Sequence, residues 1–315
     1  MSALTRRHHC VILQALRPTV NLTFVIVFLR MLALIPLPLL HGLGIGLGWM
    51  IYLAPGRHST RLRKNVYTSG ICPHPADARR LLRRVIGESG KALIELAPVW
   101  MRPYDDVLKL VKATQGWDQI DAARAAGRGV IVIAPHIGCF EMINLYYAAR
   151  QPFTAMYKPP RKPQLETIML AGRQRGQAKL VPTDLSGVRA LLAALKRGEG
   201  VGILPDQVAS AGDGVWAPFF GRPAYTPTLA ASLQRKTDAA AFFVAAERLS
   251  WGRGYVLHVT PAGQTFPADK TAAAVLINRG VEDLVRRFPA QYLWSYNRHK
   301  HPGGAPSPPH ENLPV

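Results

Sequence analysis

Cysteine and acidic residues are both scarce in this chain. Only Cys10, Cys72 and Cys139 occur among 315 residues. Their spacing matches neither a metal site nor a redox pair, and an odd number argues against a disulfide framework. A reducing compartment therefore fits, and no bound metal is expected. The acids number 19 against 39 Lys and Arg, a formal charge of +20, which draws anionic partners. Nucleic acid, anionic lipid and an acidic carrier protein all qualify. Zinc-finger spacing and RNP-type motifs are missing, so no nucleic acid is expected as partner. No internal repeat is visible. A cleavable signal peptide is not expected, because the apolar run begins late and no small-residue cleavage site stands out.

Apolar residues are plentiful, at 48%, enough for a sizeable core. Residues 1–17 carry Arg6, Arg7 and Arg17 and read as a flexible basic end. Residues 18–55 are then apolar for nearly their whole length, interrupted only by Arg30 and His41. The part from Met31 to Pro55 is long enough to cross a bilayer, which takes about 20 apolar residues. It also contains Pro36, Pro38 and the glycines 42, 44, 46 and 48. A single spanning helix over about residues 20–53, a broken helical pair lying in one leaflet, and a segment packed into the domain core are the three readings. Arg57, Arg61, Arg63 and Lys64 follow at once, placed for lipid head groups.

Helical spacing continues over residues 76–96, with Arg79, Arg80, Arg83 and Arg84 turned away from the apolar face. Those arginines make either a solvated face or a docking surface for an acidic partner. Residues 117–126 read as a helix closed by Gly127, 153–157 as a strand, and 164–175 as a helix. Asp184 or Ser186 caps a helix that crosses over to a strand at 200–204, making a β-α-β unit. Residues 212–216 read as a polar, glycine-rich loop, and Thr226 as the cap of a helix beginning at Pro227. Two strands at 241–249 and 255–260 follow, the second near an edge. Asp269 opens the last helix, and residues 302–315 are expected to be disordered.

The chain is organised around residues 129–147. Val130 to Ala134 are apolar on both sides and read as a strand buried on two faces, ended by Pro135. A helix follows from about Phe140. His136 sits in the turn between them, and Glu141 in the first helical turn. On one ideal helix the two would lie roughly 140° apart, so they meet only if His136 is outside the helix and folds back. There a neutral imidazole can take a proton from an attacking hydroxyl while Glu141 holds the other ring N–H. The plainer reading is a carboxylate complementing the helix dipole beside a histidine that satisfies a turn. Cys139 reads as a buried hydrophobe rather than a nucleophile.

Other polar groups gather nearby. Lys158, Arg161 and Lys162 are held in a stiff loop by Pro159, Pro160 and Pro163, suited to phosphate or to mere solvation. Arg173 ends the following helix. Asp206 and Gln207 fall, like His136, at the carboxyl end of a strand, where open parallel sheets collect ligands. Asp206 has three possible roles: orienting a basic residue, holding an acceptor, or capping its loop.

The H-x-x-x-x-E pattern after a buried strand resembles the H-x-x-x-x-D/E motif of glycerolipid and lipid A acyltransferases. The blocks Tyr157-Lys-Pro-Pro-Arg161, Leu204-Pro-Asp-Gln207, Pro218-Phe-Phe-Gly-Arg-Pro-Ala-Tyr-Thr-Pro-Thr228 and Arg287-Phe-Pro-Ala-Gln-Tyr-Leu-Trp-Ser-Tyr-Asn-Arg298 are similar to the lipid A biosynthesis (lauroyl/myristoyl) branch, from about Arg30 to Lys300. The resemblance implies a membrane-associated acyltransferase at the cytoplasmic face of the inner membrane. It implies acyl carrier protein as donor, no cofactor, and an anionic acceptor, a hydroxyl on a phosphorylated disaccharide lipid. His136 would be the general base and Glu141 its orienting group. Arg161 is the choice for acceptor phosphate, with Lys158, Arg173, Asp206 and Gln207 completing the substrate site. The backbone N–H at Gly138 would bind the oxyanion.

The expected fold is α/β: one catalytic domain over 57–300, with a central mixed, partly parallel sheet flanked by helices. A membrane-anchoring helix or helical pair at 18–56 precedes it. The same motif suits other acceptors, such as a lysophospholipid, an ornithine lipid or a glycolipid. From another class, a basic membrane adaptor could keep the fold without turnover, although the presence of both His136 and Glu141 speaks against it.

Overall fold

The computed structural model describes residues 22–160 and 163–309. The basic residues 1–17, Arg161, and the end of the tail lie outside the described residues.

The apolar N-terminal segment forms two helices, α1 (Leu22–Leu34) and α2 (Leu37–Leu53), broken at Ile35 and Pro36. Proline lacks the N–H that would continue the ladder and restricts the residue before it, so the chain bends there. Among the described residues no single helix is long and apolar enough to cross a membrane; the bent pair Leu37–Leu53 and Arg57–Thr68 passes only by length and composition. Gly44 and Gly48 of α2 lie at its contact with a later helix. A Cβ on Gly48 would stand 2.1 Å from the Ile86 carbonyl oxygen, and one on Gly90 1.9 Å from that of Gly44. Only glycine lets α2 approach α4 (Pro75–Ile94) this closely. Leu37 and Leu40 are buried, while Phe24, Phe28, Met31, Leu39 and Leu43 stay exposed, so the helical pair has one face in the core and one bare.

Short helices α3 (Arg57–Thr68), α5 (Leu96–Met101) and α6 (Tyr104–Leu108) complete the N-terminal part. The chain then alternates: β1 (Val111–Gln115), α7 (Trp117–Ala125), β2 (Val130–Ile133), α8 (Glu141–Ala148), β3 (Phe153–Tyr157), α9 (Pro163–Arg173), β4 (Ala178–Pro182), α10 (Leu185–Lys196) and β5 (Gly200–Ile203). A hairpin, β6 (Gly214–Phe219) and β7 (Arg222–Pro227), leads to α11 (Leu229–Thr237), β8 (Ala240–Arg248), β9 (Tyr255–Pro261) and α12 (Lys270–Arg287).

Seven strands form one sheet in the order β1-β9-β8-β2-β5-β3-β4. β8, β2, β5, β3 and β4 run parallel, while β9 is antiparallel to β8 and carries β1 parallel to itself. The sheet is thus mixed and mostly parallel. β2 lies at its centre, buried at every residue. Ile131 and Ile133 face one helical layer and Val130 and Val132 the other. Each such side chain contributes about 2 kcal/mol by leaving water.

Three expectations change. The loop expected at 212–216 runs from Gly214 into β6 of the β6–β7 hairpin, which turns through Phe220 and Gly221 at φ 47° and 68°. Pro227 ends β7, so Thr228, not Thr226, precedes the helix. Thr226 is buried and accepts from the Arg298 guanidinium at 2.8 Å. Residues 302–309 are placed against this hairpin, with Trp216 Nε1 donating to the Pro306 carbonyl at 2.8 Å. β9 lies one strand in from the edge that β1 occupies.

Candidate active site

The β2–β5 register builds the site. Ile133 pairs with Ile203, and His136 and Asp206 each lie three residues further on, at the carboxyl ends of adjacent parallel strands. Their side chains meet: His136 Nδ1 donates to Asp206 Oδ1 at 2.9 Å, and the His136 backbone N–H donates to Asp206 Oδ2 at 3.0 Å. With Nδ1 protonated, Nε2 presents a lone pair, and Gln207 Nε2 approaches it at 3.2 Å as donor. Asp206 is 3% exposed, too deep to touch a substrate. Burial alone would raise its carboxyl, but the His136 ring, the hydrogen bonds from His136 and the charge of Arg298 outweigh that and hold it below the ordinary carboxylate value.

Glu141 sits in the first turn of α8, with His136 outside that helix as the spacing requires. It does not take the ring nitrogen. Arg173 Nε donates to Glu141 Oε1 and Oε2 at 3.0 and 2.8 Å, and Arg173 Nη2 makes a further bond to Oε1. The carboxylate on the ring nitrogen is therefore Asp206, because the register brings it under Nδ1, while the motif's own carboxylate holds an arginine. Trp100 lies against this pair, its ring 5.7 Å from the Arg173 guanidinium carbon, and Asn144 Nδ2 donates to the Arg173 carbonyl at 2.9 Å. Trp100 and Asn144 escaped the sequence reading, since nothing local marks either one.

The turn carrying His136 is pinned. Gly138 donates its N–H to the Gln291 carbonyl at 3.0 Å, and Cys139 to that of Ala246 at 3.0 Å. The Gly138 N–H is thus committed to protein and does not serve an oxyanion, contrary to expectation. Gly138 has φ +59°, and a Cβ there would lie 1.9 Å from the Ala246 oxygen. Cys139 is buried, and burial together with nearby Glu95 pushes its thiol well up, which removes it as a nucleophile.

Two cavities meet at this point. One, of about 450 Å³, lies among Ile143, Phe153, Met156, Met169 and Leu180, with exposed Lys158 and Gln207 in its lining. The other, of about 270 Å³, lies between α2, α3, α4 and the segment after α12, with Ile51, Leu62, Ile86, Leu93 and Tyr292 in its lining. His136, Phe140, Glu141 and Arg173 line both. Of the expected substrate residues, Lys158, Arg173 and Gln207 gather here, Asp206 lies behind the ring, and Arg161 is outside the described residues.

The pattern of bacterial lipid A biosynthesis acyltransferases matches residues 13–301. The lipid A biosynthesis palmitoleoyltransferase of Escherichia coli K12 is 30% identical, over 84% of this chain and 86% of its own length. The lauroyltransferase of the same organism is 25% identical, over 87% and 89%. A lipid A biosynthesis acyltransferase of Haemophilus influenzae is 23% identical, over 86% and 87%. A parallel-sheet site with a carboxylate-held histidine between two apolar cavities, on a chain matched nearly end to end, places this protein in the bacterial lipid A biosynthesis acyltransferase family, and it is an acyltransferase.

Proposed function

We propose that the protein transfers a fatty acyl chain from acyl carrier protein to a hydroxyl of a lipid A precursor, at the cytoplasmic face of the inner membrane. One observation carries the reading: His136, with Nδ1 on Asp206 and Nε2 met by the exposed Gln207 amide, which a substrate hydroxyl can replace, lies in the wall common to two apolar cavities. Two lipid chains can then meet at one base without a covalent acyl-enzyme.

His136 Nε2 takes the proton of the acceptor hydroxyl as its oxygen attacks the thioester carbonyl. The tetrahedral intermediate collapses, the carbon–sulfur bond breaks, and the imidazolium returns the proton to the departing thiolate. Asp206 stays ionised and stabilises the imidazolium between the two steps. Glu141 holds Arg173 in place, and that guanidinium, in the same cavity linings as His136, offers positive charge to a carbonyl oxygen gaining negative charge. No metal or cofactor is needed for this sequence of steps.

The cavity bordered by α2 and α3 faces the element with the bare apolar residues, so the acceptor enters there from the lipid phase. The broken helical pair lies in one leaflet, with exposed Arg57, Arg63 and Lys64 at the head groups. The donor chain enters the larger cavity past Lys158, whose charge suits the phosphate of a phosphopantetheine arm. The exposed arginines 79, 80, 83 and 84 of α4 add to the attraction for an acidic carrier.

Purified protein in detergent, given acyl carrier thioesters of several lengths and a panel of lipid acceptors, tests this by mass spectrometry. Acylation of a hydroxyacyl disaccharide is expected. Turnover confined to a lysophospholipid, ornithine lipid or glycolipid would overturn the acceptor assignment.

A further inference from the structure

Gln291 is far from His136 in sequence, yet it fixes the turn that bears the histidine. Its carbonyl receives the Gly138 N–H at 3.0 Å. Two residues later the Leu293 N–H donates to the His136 carbonyl at 3.1 Å, and Ile137 forms an antiparallel bridge with Tyr292. Residues 291–293 thus lie along residues 136–138 like a short strand.

The Gln291 side chain ties this strap to the sheet. Its Oε1 accepts from the Arg248 backbone N–H at 2.8 Å, and its Nε2 donates to the Arg248 carbonyl at 2.9 Å. One amide thereby matches the backbone N–H and C=O of one residue at the end of β8. Arg248 does not yield easily: its buried guanidinium donates to Glu95 at 2.7 Å and to Glu88 at 2.6 Å, both acids coming from the α4–α5 region. β8 also receives the turn directly, through Cys139 and Ala246.

We infer that Gln291 is a positioning residue, whose amide locks the strap to β8 and so sets the height and direction of the His136 ring. The inference rests on reading His136 as the general base. Only a group that accepts and donates at once fills this place. A carboxylate accepts the Arg248 N–H but repels the Arg248 carbonyl; once protonated it again does both. Methionine of similar length does neither.

The test measures kcat, KM for each substrate and the pH profile of Gln291→Glu and Gln291→Met, beside parent and His136→Ala, with thermal melts of each. Gln291→Glu is expected to lose about tenfold to a hundredfold in kcat at neutral and alkaline pH, with both KM values within about twofold of the parent's, since a displaced base costs rate more than binding. Its activity relative to the parent should recover as pH falls and the new carboxyl gains a proton. Gln291→Met should lose a similar factor with no such recovery; if it does not fold, the pH-dependent recovery of Gln291→Glu decides alone. A parent-like kcat for Gln291→Glu across the pH range, with His136→Ala inactive, overturns this inference alone. Full activity of His136→Ala overturns the reading beneath it.

Discussion

His136 Nδ1 stands 2.9 Å from Asp206 Oδ1, and the same carboxylate holds the His136 backbone N–H at 3.0 Å. A side chain that grips both ring and backbone fixes the tautomer and the ring plane together. Asp206→Asn puts an amide where the anion was, so the imidazolium loses its counter-charge and the ring can settle in the wrong tautomer. The expected outcome is a drop in kcat of about 10²–10⁴ with KM little changed. Steady-state kinetics with a single donor and acceptor check it, and a drop confined to KM would contradict the orienting role.

Glu141 and Arg173 form an ion pair whose carboxylate side chain is 3% exposed and whose arginine is 23% exposed. Removing one partner strands the other charge beside two apolar cavities. Glu141→Ala is expected to cost on the order of 3 kcal/mol in denaturant titration, besides its loss of activity. Glu141→Ala/Arg173→Met should recover much of that stability and none of the activity. Recovered turnover in the double variant would show that Arg173 has no part in the reaction.

The buried Glu95–Arg248 pair makes the fold sensitive to acid. Burial alone would raise the Glu95 carboxyl, but the charge and hydrogen bonds of Arg248, with His41 beside them, bring it down from 4.5 to about 2. A carboxyl depressed by folding stabilises the native state fully above its unfolded value and loses that contribution as pH falls through the folded one. Melting temperature should therefore fall between about pH 4.5 and pH 2. Glu95→Gln/Arg248→Met, measured by circular dichroism over the same range, should show a shallower fall. Equal slopes would remove the pair as a source of acid lability.

The bare face of α1 offers a test of lipid contact. Phe24, Phe28 and Met31 are 70%, 53% and 61% exposed, and none of them supports the core. Replacing all three by serine should weaken binding to vesicles of anionic phospholipid by ~tenfold per side chain while leaving the melting temperature in detergent unchanged. Flotation of parent and variant with vesicles reads this directly; equal flotation would mean that α1 does not face lipid.

Much of the architecture was legible in the sequence wherever a pattern was local. The run at β2, the apolar spacing of α4 and the Asp184 and Asp269 caps are properties of neighbouring residues, and each element lies where its pattern put it. β1 and β4 were missed because an edge strand buries little and so shows little periodicity. The β6–β7 hairpin was missed because its first strand opens in a polar, glycine-rich stretch whose partner lies beyond the turn. The site shows the same limit more sharply. That His136 and Asp206 both close parallel strands could be read, but which carboxylate meets the ring depends on the pairing of Ile133 with Ile203, which no short motif records. The α2 glycines looked like obstacles to a helix; at Gly44 and Gly48 another backbone comes too close for a Cβ.

The central claim is that Nε2 of His136 removes the proton from the acceptor. The most direct measurement is the single-turnover rate of acyl transfer by folded His136→Ala, with products resolved by mass spectrometry. A fall of about 10²–10⁴ with both substrates still bound is the predicted result; transfer at the parent rate would contradict it.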